Sequence, residues 1–143
     1  MKKDNLAIST WIRFLKAHNL ILREGRKRLN GSCTIAQFDI LAQLDRSQRA
    51  LTLAELSRNL LVTAGNITGM IDRMEEAGWV ERKPVPGDRR ATRVQLTAKG
   101  KQLAKIVIPK HAHDIEQMFG SLTNQEIMQL RDLLEKLVTG LER

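Results

Sequence analysis

Tyrosine is absent from this 143-residue sequence, and two tryptophans with three phenylalanines bring aromatic content to only 3%. Proteins that read single strands or unpaired RNA bases stack those bases on aromatic platforms, so a chain this poor in rings is not built for that task. There is one cysteine, Cys33, which excludes an internal disulfide and any need for an oxidising compartment. No apolar run approaches the roughly 18 residues of a membrane-spanning helix. The basic start, Met1 to Leu6, leads into an apolar stretch cut by Arg13 and Lys16, with no small-residue cleavage site. No signal peptide and no membrane partner are expected, and the expected location is the cytoplasm. No serine or cysteine sits in a nucleophile motif and no glycine-rich phosphate loop occurs, so neither an enzyme nor a cofactor is expected. His111 and His113 are two residues apart and face different sides of a helix, which offers no metal site.

Positive charge is abundant. The formal net charge is +8, and it is unevenly spread. Residues 1–30 carry eight Lys/Arg against two Asp/Glu, and residues 78–101 carry seven against two. The segments between and after them are close to neutral. Two basic segments on a mainly helical chain point to a polyanion partner; solvated charge that keeps the protein soluble is the plainer alternative.

Apolar periodicity predicts six helices and one small hairpin in a single domain. Residues 5–29 carry Ile8, Trp11, Ile12, Leu15, Ile21 and Leu22 at steps of three and four, and Asn30-Gly31 stops them. Thr34 with Gln37, Thr52 with Glu55, and Thr123 with Glu126 have capping-box spacing and start the second, third (53–60) and sixth helices. A fourth helix is expected from about Thr63 to Ala77, with Gly78 just past its end. Residues 79–85 and 91–96 read as the arms of the hairpin. A fifth helix begins near Thr97, and Pro109 is expected to bend or break it.

The third and fourth helices have helix-turn-helix spacing. In the fourth, Ile67, Met70, Ile71 and Met74 form the core stripe. The opposite face carries Gly65, Asn66, Thr68, Gly69 and Arg73. Its first turn, Thr63-Ala64-Gly65-Asn66, is small and polar, and free N–H groups there suit a phosphate or a base edge. Asn66 can donate and accept together, as an adenine edge requires. Two glycines on an exposed helical face cost roughly 1 kcal/mol each, which suggests close approach of a partner. The hairpin that follows carries Asp88, Arg89 and Arg90 at its tip and Arg93 on its second arm. Arginines at an exposed tip suit a narrow minor groove, and Asp88 is placed to hold the Arg90 guanidinium by a bidentate pair. The expected fold is therefore a winged helix-turn-helix with double-stranded DNA as partner.

The segment D72-R-M-E-E-A-G-W-V-E-R82, followed by G87-D-R-R-A-T-R-V-Q-L-T-A-K-G100, resembles the MarR family of bacterial winged-helix regulators. The likeness extends along the chain. It implies one MarR-type domain over residues 1–143, with a DNA-binding lobe at 34–98 and a helical dimerisation lobe at 1–30 and 99–143. It further implies a homodimer on a pseudo-palindromic operator, usually a repressor, released by a small anionic aromatic compound or by cysteine oxidation. Contacts to DNA then fall on Thr63, Ala64, Gly65, Asn66, Thr68, Gly69 and Arg73, and on Asp88, Arg89, Arg90 and Arg93 of the wing. Dimerisation falls on the first, fifth and sixth helices. The sixth supports this independently, because Ile127, Leu130, Leu134, Leu137 and Leu141 are spaced three, four, three, four, as in a packed helical seam.

Two sensing routes stay open. Trp11, His18 and Phe38 could line a ligand pocket between the first two helices and the DNA-binding lobe. Cys33, close to helix N-terminal N–H groups, could serve as a redox switch. A winged helix that has lost DNA readout and binds another protein is the alternative from a different class.

Overall fold

The computed structural model describes residues 5–61 and 65–143. Asn5 starts helix α1 (Leu6–Leu29) by accepting the backbone N–H groups of Ala7 and Ile8, and Asn30 ends it in the left-handed region at φ 50°. Helix α2 (Ile35–Ser47) opens with a complete capping box between Thr34 and Gln37. Strand β1 (Leu51–Thr52) leads directly into helix α3 (Leu53–Arg58), which has the same device in Thr52 and Glu55. Helix α4 (Ile67–Glu76) precedes strands β2 (Val80–Val85) and β3 (Asp88–Leu96). Helices α5 (Ala98–Met118) and α6 (Asn124–Leu141) complete the described chain, α6 with the capping box of Thr123 and Glu126.

The three strands form one antiparallel sheet in the order β1-β3-β2. Leu51 pairs with Val94 on one side of β3, and Arg82 pairs with Val94 on the other. β1 was not expected from the sequence. Two residues are too short to show alternation, and only pairing with β3 reveals them as a strand.

One core joins α2, α3, α4, the sheet and the start of α5. Ile40, Leu41 and Leu44 of α2, Leu56 of α3, Met70, Ile71 and Met74 of α4, Val80, Val94 and Leu96 of the sheet and Ala104 of α5 form one buried cluster. Alternation along β3 sends Val94 and Leu96 inward and leaves Arg93 exposed. The root of the wing is tightly closed. Thr97 N–H donates to the Trp79 carbonyl, the Thr97 hydroxyl donates to the Gly78 carbonyl, and a Cβ at Gly100 would overlap the Trp79 carbonyl oxygen.

Four expectations about the elements need correction. The third helix stops at Arg58 rather than Leu60. α4 begins at Ile67, later than the small polar turn suggested, because Asn66 acts as its N-cap and accepts the Gly69 N–H. Of the bend or break expected at Pro109, the break does not occur: α5 runs from Ala98 to Met118 with the proline inside it. The ring removes only one interior N–H donor, and the remaining hydrogen bonds carry the helix through. β3 reaches back to Asp88, so Arg89 and Arg90 belong to a strand rather than to a free tip.

The ends of the chain are different. No residue of α6 is buried. Leu130, Leu133, Leu137, Val138 and Leu141 of α6 and Ile8, Trp11, Ile12 and Phe14 of α1 are all exposed. The C-terminal end of α1 is fastened to α5 instead: Arg28 pairs with Asp114 at 3.7 Å, and Lys110 donates to the Arg28 carbonyl.

Candidate nucleic-acid interface

α4 turns Met70, Ile71 and Met74 into the core, which leaves Thr68, Asp72, Arg73, Glu75 and Glu76 exposed. Asn66 sits at its start with the side-chain oxygen committed to the Gly69 N–H at 3.0 Å. That bond uses one of the two lone pairs of the oxygen and fixes the direction of the amide, so any two-way reading of a base edge by Asn66 has to share its acceptor with the cap. A Cβ at Gly69 would meet Asn66 Nδ2 at 2.7 Å, so this glycine gives room to the cap. Gly65 lies before the helix rather than within it, in open space. The helical cost assigned to two glycines therefore applies to Gly69 alone. Thr63 and Ala64 lie outside the described residues.

The wing turns through Pro86 and Gly87, with Gly87 at φ +82°, a conformation that glycine takes without strain. Asp88, Arg89 and Arg90 are all exposed. Asp88 does not hold the Arg90 guanidinium. Its carboxylate accepts the Arg90 backbone N–H at 3.0 Å, an Asx turn that shapes the tip and leaves the guanidinium free. Among the described residues, Arg73, Arg89, Arg90 and Arg93 enter no ion pair. Arg93 stands directly opposite Lys83 across the β2–β3 ladder. Like charges facing each other across a ladder are unfavourable unless an anion lies against them. Lys83 was missed in the sequence because β2 shows no clean alternation.

Arg82 was missed as well. It shares the inner face of β2 with Val80 and is half-buried. Its guanidinium pairs with Asp72 at 2.6 Å and Glu75 at 3.1 Å, both on α4. Two carboxylates three residues apart on a helix were the available signal.

The residues proposed for sensing do not form one site within a chain. Phe38 packs on His111 with ring centroids 4.4 Å apart, and His111 lies beside Gly25 of α1. Trp11 stands fourteen residues before Gly25 on the same helix, about 21 Å away along its axis. His18 is exposed, and its hydrogen-bond partner is its neighbour Asn19. A cavity of about 290 Å³ lies elsewhere, between the end of α2, β3 and α5, lined by Asp45, Arg49, Gln95, Lys101 and Lys105 among others. Cys33 is half-buried, and burial pushes its thiol up to about 11. The expected lowering by nearby helix N–H groups is outweighed by desolvation, so the thiolate is scarce at neutral pH.

His111 is buried with Nδ1 unpartnered among the described residues. Burial lowers its pKa, opposed by the nearby Asp114 carboxylate. Asp114 itself is held low by its hydrogen bond from Lys110. No three His, Cys, Asp or Glu side chains gather as a metal site among the described residues.

An exposed helix beside a cationic two-stranded hairpin, both seated on one core, is the working surface of a winged-helix DNA-binding protein. Comparison with known proteins gives the family. The family model described as MarR family matches residues 33–92. The multiple antibiotic resistance protein MarR of Escherichia coli K12 is 36% identical over 106 residues, 73% of this chain and 73% of that protein. The HTH-type transcriptional regulator PecS of Dickeya dadantii is 33% identical over 103 residues, which is 71% of this chain and 62% of PecS. A crystal structure of a mutant Escherichia coli MarR complexed with operator DNA superposes with a TM-score of 0.75 at 28% identity, covering 94% of this chain and 99% of that one. The chain belongs to the MarR family of winged-helix, DNA-binding transcriptional regulators.

Proposed function

We propose that the protein is a homodimeric repressor that binds a pseudo-palindromic duplex and leaves it when a small-molecule effector binds, acting in the cytoplasm. The observation that carries this reading is the free cationic wing, Arg89, Arg90 and Arg93, beside an exposed α4. α4 would enter the major groove through Asn66, Thr68 and Arg73, with Thr63, Ala64, Gly65 and Gly69 along its approach. The wing would reach the adjacent minor groove or backbone. The exposed apolar rows of α1 and α6 support the dimer, with Leu130, Leu137 and Leu141 exposed and Ile127 and Leu134 half-buried along one seam. Repression and effector release rest on the likeness to MarR and its relatives. The raised pKa of Cys33 speaks against a thiol switch.

The test is selection of duplexes from a random DNA library by the purified protein. An inverted repeat with half-sites about one helical turn apart, roughly 34 Å, is the expected product. Failure to enrich any sequence would replace this reading with that of a protein-interaction module. Titration of the recovered duplex against salt should show a steep fall in affinity from counterion release.

A further inference from the structure

Arg82 lies beside α4 and bonds to it at three points. Nη2 donates to Asp72 Oδ1 at 2.6 Å, Nη1 donates to Glu75 Oε1 at 3.1 Å, and the backbone N–H of the same residue donates to Glu75 Oε2 at 3.3 Å. The Arg82 side chain is 23% exposed, so these charge-assisted bonds are partly shielded from water, and the planar guanidinium fixes both carboxylates in direction. α4 is also held by packing of Ile67, Met70, Ile71 and Met74, by its N-cap, and at its C-terminal end by Trp79 N–H on the Met74 carbonyl and Lys99 on the Ala77 carbonyl. Packing fixes the buried face of the helix, and the ion pairs add directed contacts at its exposed edge, where small changes of angle are felt most by a partner. The two elements that would meet DNA share a buried core, and among the described residues Arg82 supplies the ion pairs between them. With both its terminal nitrogens engaged, Arg82 is not a free phosphate ligand, unlike Arg73 or Arg90.

We propose that Arg82 is a positioning residue: it sets the angle of the recognition helix against the wing so that both can engage one duplex, and it does not touch DNA itself. This rests on the DNA-binding reading above. The test uses the duplex recovered by selection and three variants of the full chain: Arg82→Ala, the pair Asp72→Asn with Glu75→Gln, and all three changes together. Removing two carboxylates from a helix that faces phosphates strengthens binding if charge alone matters. Positioning predicts the opposite sign. Arg82→Ala and the double acid variant should each bind roughly tenfold more weakly, and the triple variant no more weakly than Arg82→Ala, as expected of groups acting in one network. The slope of log affinity on log salt should stay at the wild-type value in all of them, since no phosphate contact is lost. The double acid variant keeps Arg82 and the whole wing, and its retained binding to random duplex would show that the loss on the selected duplex is not unfolding. Equal or tighter binding by that variant would overturn the proposal. So would a salt slope reduced by about one in Arg82→Ala, which would make Arg82 a phosphate contact. A wild-type chain that selects no duplex would instead overturn the DNA reading, and this inference with it.

Discussion

The two lobes of this molecule are built on opposite terms. In the DNA-binding lobe, three helices, a sheet and the start of α5 close around Leu41, Leu56, Ile71 and Val94, none of which has any exposure. At the other end, α6 has an apolar seam and no buried residue, and the first half of α1 is exposed at every position but Ser9. The difference teaches that hydrophobic pattern alone does not say where a residue is buried. The seam of α6 is as regular as the stripe of α4, yet among the described residues only the second is buried.

The contrast can be broken most severely from inside the core. Ile71→Ala should cost about 2–5 kcal/mol of unfolding free energy, measured by urea denaturation, because the closed cluster cannot collapse around the cavity. A loss near zero would mean that the lobe is far more plastic than its packing implies. Gly100→Ala should cost about 1–3 kcal/mol, since its Cβ would collide with the Trp79 carbonyl and a backbone must shift. Asn66→Ala should cost about 1 kcal/mol through the lost N-cap, and weaken DNA binding by loosening the first turn of α4. If stability is unchanged while sequence preference alone relaxes, base readout is the dominant role of Asn66.

The pH response should be smaller. The pKa of His111 is lowered in the folded protein, so folding favours the neutral ring. Its contribution is fully present above the unfolded value near 6.5 and is lost as pH falls below it. His111→Gln should flatten the decline in denaturation midpoint between pH 7.5 and pH 5.5, roughly the window in which an unfolded histidine gains its proton. An unaltered decline would assign it to other groups. The smallest effect on the DNA-binding core should come from Leu137→Asp. Hydrogen exchange at Ile71 and Val94 should stay within about 0.5 kcal/mol of wild type, as for exposed substitutions generally. Light scattering should meanwhile show the particle falling from the mass of two chains to that of one. A wild-type chain that already scatters as one would remove the dimer.

Much of the fold was legible because its signals are local. The three capping boxes at Thr34, Thr52 and Thr123 formed as their spacing predicts. Gly78 takes φ +81° just past α4, as its place in the sequence required. What escaped was set at a distance. β1 exists because β3 offers it a ladder, and Arg82 matters because β2 carries it under Asp72 and Glu75. Phe38 meets His111 rather than Trp11 because α2 packs beside the far end of α1. The start of α4 was misjudged for a different reason. Thr63 and Asn66 both have side chains that can cap, and sequence alone does not rank them; the hydrogen bond from Gly69 does.

The unbroken course of α5 also has a mechanical meaning. Its first turn is sealed to Trp79 and Gly78 at the root of the wing, and its later turns meet the end of α1 through Lys110, Asp114 and Arg28. The helix spans 21 residues, about 31 Å at 1.5 Å per residue. A rod of that length, tilted by about 5°, carries its far end through roughly 2.7 Å. Turning as one rigid rod, α5 would deliver a small change of angle at its α1 end to the wing as a displacement comparable to the length of a hydrogen bond.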